Sequence, residues 1–407
     1  MTATATAPTR HLRPRRVGET QQTTTVELFF DLVYVFAVTQ LSHQILDDPS
    51  VAGVARAAFL LLVVWWAWIY TTWMANWFDP TSPAVRAVLT GVMLASLLMA
   101  AALPGAFGED GALFAISYVA LQVGRNAAAA ILLGRDHRLR DVFERLVVWS
   151  AASGVMWLVG AAVPGDRRLL LWIPAAVLDL CAPYAGYWLP RRGSAVTTDW
   201  DIDGGHFTDR CQGFIIIALG ESIVVTGATA ANAGLTATVV LCLGIAFVET
   251  AALWWLYFGA VAERSREVMS TAEDPGRLAR DAYTYLHAPI VAGIIATAVG
   301  DDLLIADPGG ALHGVGLAMV LGGPVLFLVG ESLFRLRVTG AANAKRLAVA
   351  ALVVLLAPVG SQVSALALSA TVAALLSALA VWELRTPAVH HRLLELRHVQ
   401  SQQEGTP

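Results

Sequence analysis

The chain has 407 residues, 57% of them hydrophobic and only 14% charged, with a net charge of −4 and a mean hydropathy of +0.61. Soluble domains carry roughly 25% charged residues, so the composition excludes a soluble globular protein. The mildly acidic balance gives no reason to expect nucleic-acid binding.

Residues 1–20 are a Thr/Ala/Pro tail closing on Arg10, Arg13, Arg15 and Arg16. No apolar region precedes a small-residue cleavage site, so this reads as a disordered, basic, cytoplasmic tail and not as a secretory signal. Twelve apolar segments follow, near 26–45, 54–77, 84–103, 113–133, 142–163, 169–189, 209–229, 235–261, 282–299, 312–334, 345–358 and 363–384. Most approach the roughly 20 residues that cross a bilayer, and Pro80, Pro104, Pro164, Pro190 and Pro308 punctuate the joins. With the N-terminus in the cytoplasm, the 27 Arg and Lys fall on the inner side except Arg56, Arg167, Arg168 and the intrahelical Arg125. That bias predicts a multi-pass protein of the bacterial cytoplasmic membrane with both termini inside. After the last span, Pro387–Val399 mixes Leu393, Leu394, Leu396 and Val399 with His390, His391, Arg392 and Arg397. It is expected to be an interfacial amphipathic helix in a tail over 386–407.

The first segment, V-E-L-F-F-D-L-V-Y-V-F-A-V-T-Q-L-S-H-Q (26–44), returns as F-T-D-R-C-Q-G-F-I-I-I-A-L-G-E-S (207–222). The overlay puts Phe29 on Phe207, Asp31 on Asp209, Phe36 on Phe214, Leu41 on Leu219 and His43 on Glu221. Trp65-Trp66 parallels Trp254-Trp255, and Gly124-Arg125 parallels Gly330-Glu331. The fold expected is therefore an all-α integral membrane protein of about twelve transmembrane helices, arranged as two parallel six-helix repeats. The repeats span 21–193 and 209–385, joined by an acidic cytoplasmic linker at 194–208.

Charges inside spanning segments are the functional candidates. Glu27 and Asp31 lie one turn apart on one helix face, where they could handle protons or simply favour the positive helix end. Glu221 follows F-I-I-I-A-L-G and sits about 18 Å along the helix from Asp209, inside the hydrocarbon. A carboxylate there must be protonated, paired or wetted, with His287 and Glu249 as potential partners and His43 as its repeat counterpart. Arg125 and Glu331 occupy matching places, which suggests a salt bridge between repeats, and Asp179 is another partner for Arg125. The loop Asp199–Arg210 places Asp199, Asp201, Asp203 and Gly204 in calcium-loop register, but Arg210 stands where a bidentate glutamate is needed. It reads instead as a cap on the seventh helix, with Asp209 near the positive end. Trp66, Tyr70, Trp73 and Trp77 form a stripe, expected to be an aromatic belt or packing seam, with a ligand-facing role as the alternative. The scattered Cys181, Cys211 and Cys242 argue against disulfides and zinc. No nucleophile elbow, Walker loop, H-E-x-x-H or dinucleotide fingerprint appears, and no metal or cofactor is expected.

Five stretches resemble the bacterial low temperature requirement protein A (LtrA) family. They are E-L-F-F-D-L-V-Y-V-F-A-V-T-Q-L-S-H (27–43), W-W-A-W-I-Y-T-T-W (65–73), D-W-D-I-D-G-G-H-F (199–207), I-I-A-L-G-E-S (216–222) and D-A-Y-T-Y-L-H-A-P-I-V-A-G-I (281–294). Asp209 departs from the pattern, which has a glutamate before the arginine. The resemblance implies a polytopic inner-membrane protein and supplies no reaction. F-F-D at 29–31 and F-T-D at 207–209 are also similar to the F-S-D start of two-repeat, six-plus-six-helix potassium channels, a likeness about fold.

The leading reading is passage of a small ion or solute, proton-linked, with Glu27, Asp31 and Asp209 at the inner mouth and His43 and Glu221 deeper. An enzyme acting on lipid through the Asp199–Asp209 loop, or a non-catalytic membrane factor in cold adaptation, are the alternatives, and a non-enzyme is favoured. Expected partners are the bilayer and the small ion or solute, not nucleic acid; self-association is left open.

Overall fold

The computed structural model describes residues 11–14, 21–134, 137–200, 202–259 and 261–385. Most of the basic tail over 1–20, the amphipathic segment 387–399 and Asp201 of the calcium-like loop lie outside the described residues. Among the described residues no β-strand forms, only isolated bridges such as Leu12–Phe78, and ten helices are long and apolar enough to cross a membrane. The first five spans are α1 (Thr25–Asp47), α2 (Val51–Trp77), α3 (Pro83–Ala101), α4 (Gly111–Leu132) and α5 (Arg138–Ala161). A shorter α6 (Leu169–Cys181) precedes the spans α7 (Gly204–Ala233) and α8 (Ala237–Phe258). The short α9 (Val261–Thr271) leads to the spans α10 (Pro275–Ala306) and α11 (Gly314–Thr339). A short α12 (Ala344–Leu355) and the span α13 (Ala365–Leu384) close the series.

Two of the twelve expected segments fall short of a span. The segment 169–189 forms only the 13 residues of α6, and 345–358 the 12 of α12. At 1.5 Å per residue each is about 18–20 Å long, less than the roughly 30 Å hydrocarbon core. After Cys181 the chain leaves the helix through Pro183 and left-handed backbone at Gly186 and Tyr187. Beyond α12, Pro358 has no N–H to extend the ladder.

The burial pattern is that of a membrane protein. In α1, Glu27 and Asp31 are 1% and 2% exposed, whereas Phe29 and Leu32 are 62% and 60% exposed. Carboxylates point inward and large apolar side chains outward, as a hydrocarbon solvent requires. The chain is a multi-pass membrane protein.

It divides into two compact units. The first comprises Met1–Ala218 with Met269–Ala288; the second comprises Leu219–Val268 with Pro289–Pro407. In the first unit α1 packs on α2 and α3, and α3 to α6 pack in succession, the arrangement short connections favour. Its core is aromatic: Trp68 stacks on Trp65 at 5.1 Å and meets Phe214 at 4.5 Å. Trp157 and Trp172 close a second cluster at 5.2 Å. In the second unit α13 packs on α8 and on α12, and α11 on α12. Its core is small and aliphatic, built on Ala230, Val239, Cys242, Leu304, Ile305 and Ala365. The tryptophan pairs that align in sequence differ accordingly, Trp65 and Trp66 being buried and Trp254 and Trp255 exposed.

The start of α10 is irregular for a stated reason. Pro289 cannot donate to the helix ladder, and the turns before it, Ala279–Tyr285, adopt π geometry. The Thr284 carbonyl accepts the indole N–H of Trp65 at 2.7 Å, and Thr284 Oγ1 that of Trp73 at 3.1 Å. π segments of this kind collect at functional sites.

Candidate functional site

The charges of the spanning helices fall into two groups, those with counter-charges and those without. In the first unit, Arg210 on α7 grips Asp31 on α1 with both Nη atoms, at 2.5 and 2.7 Å, and Trp68 Nε1 donates to Asp31 Oδ1 at 2.8 Å. All three side chains are buried. A fork-to-carboxylate pair of this geometry is both strong and directional.

One turn earlier, Glu27 closes a capping box with Thr24 and binds Arg13 Nη2 at 2.7 Å. Its other oxygen lies 2.7 Å from His206 Nε2. Asn76 Oδ1 accepts the Asp203 N–H at 2.8 Å, which turns the Asn76 amide nitrogen toward His206 Nδ1 at 3.1 Å. Nδ1 then accepts, and Nε2 donates to Glu27. The acidic loop caps the seventh helix as expected: the helix starts at Gly204, and Asp203 accepts the His206 N–H at 2.9 Å. Asp209 lies in the second turn and is half-buried.

Arg125 is 1% exposed and has neutral partners. It binds Gln122 Oε1, Thr71 Oγ1 at 3.1 Å and Asn126 Oδ1 at 3.3 Å, and sits over the Tyr70 ring at 5.5 Å. Asp179 is reached through a chain of hydrogen bonds: Gln122 Nε2 donates to Tyr118 Oη at 3.1 Å, and Tyr118 donates to Asp179 Oδ2 at 3.0 Å. Glu331 carries its own cation within the second unit, Arg346, which also binds Glu383 at 2.7 Å. Glu331 thus has a buried partner close in sequence, Arg346. His287, in the first unit, stacks on Tyr283 at 5.1 Å.

In the second unit two buried carboxylates form no ion pair with a cation among the described residues. Glu249 on α8 and Asp301 on α10 are each 2% exposed. Asp302 accepts a hydrogen bond from Thr229 on α7, and Asp301 Oδ2 has no donor among the described residues. Glu221, also of this unit, is 2% exposed. The sequence reading missed Asp301, although G-D-D-L-L-I inside an apolar span was visible as two adjacent acids where hydrocarbon is expected.

His43, at the far end of α1 from Asp31, is exposed on the wall of a cavity of about 300 Å³. The aromatic stripe proves buried: Trp66 packs on Tyr70 and Tyr285 at 5.1 and 5.5 Å. Tyr70, Trp73 and Trp77 line a cavity of about 30 Å³ with Tyr187 and Trp200. Burial pushes the Tyr187 phenol up, outside the spans. Among the described residues no group of three His, Cys, Asp or Glu could hold a metal.

Comparison with known proteins agrees with this architecture. The family model for the bacterial low temperature requirement A protein (LtrA) matches residues 22–381. An uncharacterised protein of Rhizobium meliloti (strain 1021) is 40% identical over 308 residues, 75% of each chain. No solved structure matches. A match over residues 22–381, nearly all the spanning helices, identifies the chain as a member of the LtrA family.

Proposed function

We propose that this protein passes a small ion or solute across the bacterial cytoplasmic membrane, with protons moved by the buried acids of the second unit. The observation that carries the reading is the pair Glu249 and Asp301. Both are buried in spanning helices, and among the described residues neither forms an ion pair with a cation, Asp301 Oδ2 having no donor at all. A buried ionised acid without a partner is strongly disfavoured, so such groups hold a proton or meet a cation, and inside a membrane they mark ion and proton pathways. Asp31 and Glu27, fully engaged by Arg210, Arg13 and His206, serve better as anchors of the inner mouth than as carriers.

The topology that fits is twelve passes with both termini cytoplasmic, α6 and α12 crossing part of the bilayer, in two parallel repeats. It rests on the basic-residue bias, and reporter fusions after Gly108 and Gly309 should report outside. The test of function is proton flux in proteoliposomes. Glu249→Gln and Asp301→Asn should each abolish it while the protein still inserts and melts normally. Undiminished flux in both variants would end this reading.

A further inference from the structure

The cavity of about 30 Å³ beside the aromatic stripe lies wholly within the first unit. Its lining comes from α2, α4, α5, the loop after α6 and the irregular start of α10. Trp73, Trp77, Phe143 and Met74 make much of the wall apolar. Among the described residues that line it, Arg280 is the one charged side chain, and none is a carboxylate.

Arg280 has donors in reserve. Its Nε donates to Asp281 at 2.8 Å, and Nη1 makes only a long contact of 3.4 Å with the Pro183 carbonyl. A guanidinium presents five N–H groups, so most of these have no acceptor among the described residues. Asn126, on the same wall and 2% exposed, is placed similarly. Its side-chain carbonyl accepts from Arg125 at 3.3 Å, and its amide nitrogen makes only a 3.4 Å contact with Ser150. Arg125 sits behind this wall, over the Tyr70 ring at 5.5 Å, and its hydrogen bonds go to neutral groups. The acid in reach of it, Asp179, stands at the end of the relay through Gln122 and Tyr118. Burial pushes the Tyr187 phenol up against the pull of both guanidinium charges, which puts both within reach of a group on the wall.

Aromatic faces alone would suit a cation, but a guanidinium on the wall repels one. An anion is favoured, and a planar carboxylate matches the fork of an arginine. The volume equals about two or three waters at roughly 10–15 Å³ each, the bulk of a two-carbon acid. Two lining segments also depart from regular backbone. Tyr187 is left-handed, with φ 48°, and Ala279–Tyr285, which carries Arg280 and Thr284, has π geometry. Such irregularity collects at ligand sites. We propose that this cavity binds a small carboxylate of the size of acetate, its oxygens held by Arg280 and Asn126 and its methyl group packed among Met74 and the indole rings. The site goes beyond the proton path proposed for the second unit and does not rest on it.

Tryptophan fluorescence of the detergent-purified full chain, titrated with sodium acetate near neutral pH at constant ionic strength, tests it. Trp73 and Trp77 stand on the wall, so a saturable change is expected. Acetamide, of the same shape without the charge, and methylammonium, of opposite charge, should give none. Arg280→Gln should weaken binding about tenfold or more, as loss of a hydrogen bond to a charged group implies, and Arg280→Lys should keep part of it. Val142, also on the wall, sets the size limit. Val142→Ala enlarges the cavity and should admit butyrate, which the parent excludes, and this readout stands even if Arg280→Gln fails to fold. The proposal is overturned by the absence of a saturable response in folded parent protein or by undiminished affinity in Arg280→Gln. An equal response to acetamide or methylammonium, or a chain-length preference that Val142→Ala leaves unchanged, would overturn it too.

Discussion

The two units treat buried acids in opposite ways. In the first, Asp31 and Glu27 each meet a guanidinium, with Trp68, Thr24 and His206 taking further lone pairs. In the second, Glu249 and Asp301 form no ion pair with a cation among the described residues. Both pairs are almost wholly removed from solvent, so burial alone does not distinguish structure from function. The counter-charge does. A paired acid holds helices together and is silent to protons, whereas an unpaired one must change state or bind something. Glu331 shows that the second unit can supply a cation where anchoring is wanted, since Arg346 lies on it.

That contrast can be broken by removing cations. The largest effect is expected at Arg346, which serves both Glu331 and Glu383 and accepts no replacement from solvent. Arg346→Leu strands two carboxylates, and a buried pair broken on one side typically loses about 3–5 kcal/mol. The melting temperature in detergent should fall sharply or folded protein be lost. Arg210→Leu strands Asp31 alone and should destabilise by about 3–5 kcal/mol at most, read the same way. Trp68→Phe keeps the ring and deletes one hydrogen bond to a charged acceptor, worth about 1.5–3 kcal/mol. The smallest change is expected at Glu249. Glu249→Gln keeps the shape and strands no cation, so stability should shift by less than about 1 kcal/mol or rise. A Glu249→Gln protein as unstable as Arg210→Leu would erase the distinction between the units.

Much of the fold was legible in the sequence because hydropathy and length report on single helices. Ten spans follow from that alone, and the two that fall short, α6 and α12, end at Cys181 and Leu355, before the apolar run does. The inward-facing Glu27 and Asp31 were also legible, since a charge in an apolar helix has few places to go. Their partners were not. Arg210 meets Asp31 and His206 meets Glu27 from α7, some 180 positions away in the chain, and periodicity carries no information about such pairing. The Arg346 partner of Glu331 was not legible for the same reason. Arg125 reaches toward Asp179 through Gln122 and Tyr118, a relay built from neutral side chains that no charge pattern reveals. The capping role of the acidic loop was readable, and the structure narrows it to Asp203.

The most direct measurement pairs Glu249→Gln with Asp31→Asn in one experiment, recording proton flux in proteoliposomes and melting temperature in detergent for each. Glu249→Gln should lose flux and keep its melting temperature. Asp31→Asn should lose melting temperature, because Arg210 is left buried beside a neutral amide, with flux reduced only in proportion to the folded protein remaining. If Glu249→Gln instead unfolds early with flux per folded molecule unchanged, the acids of the second unit are anchors, and the proton pathway proposed for them does not exist.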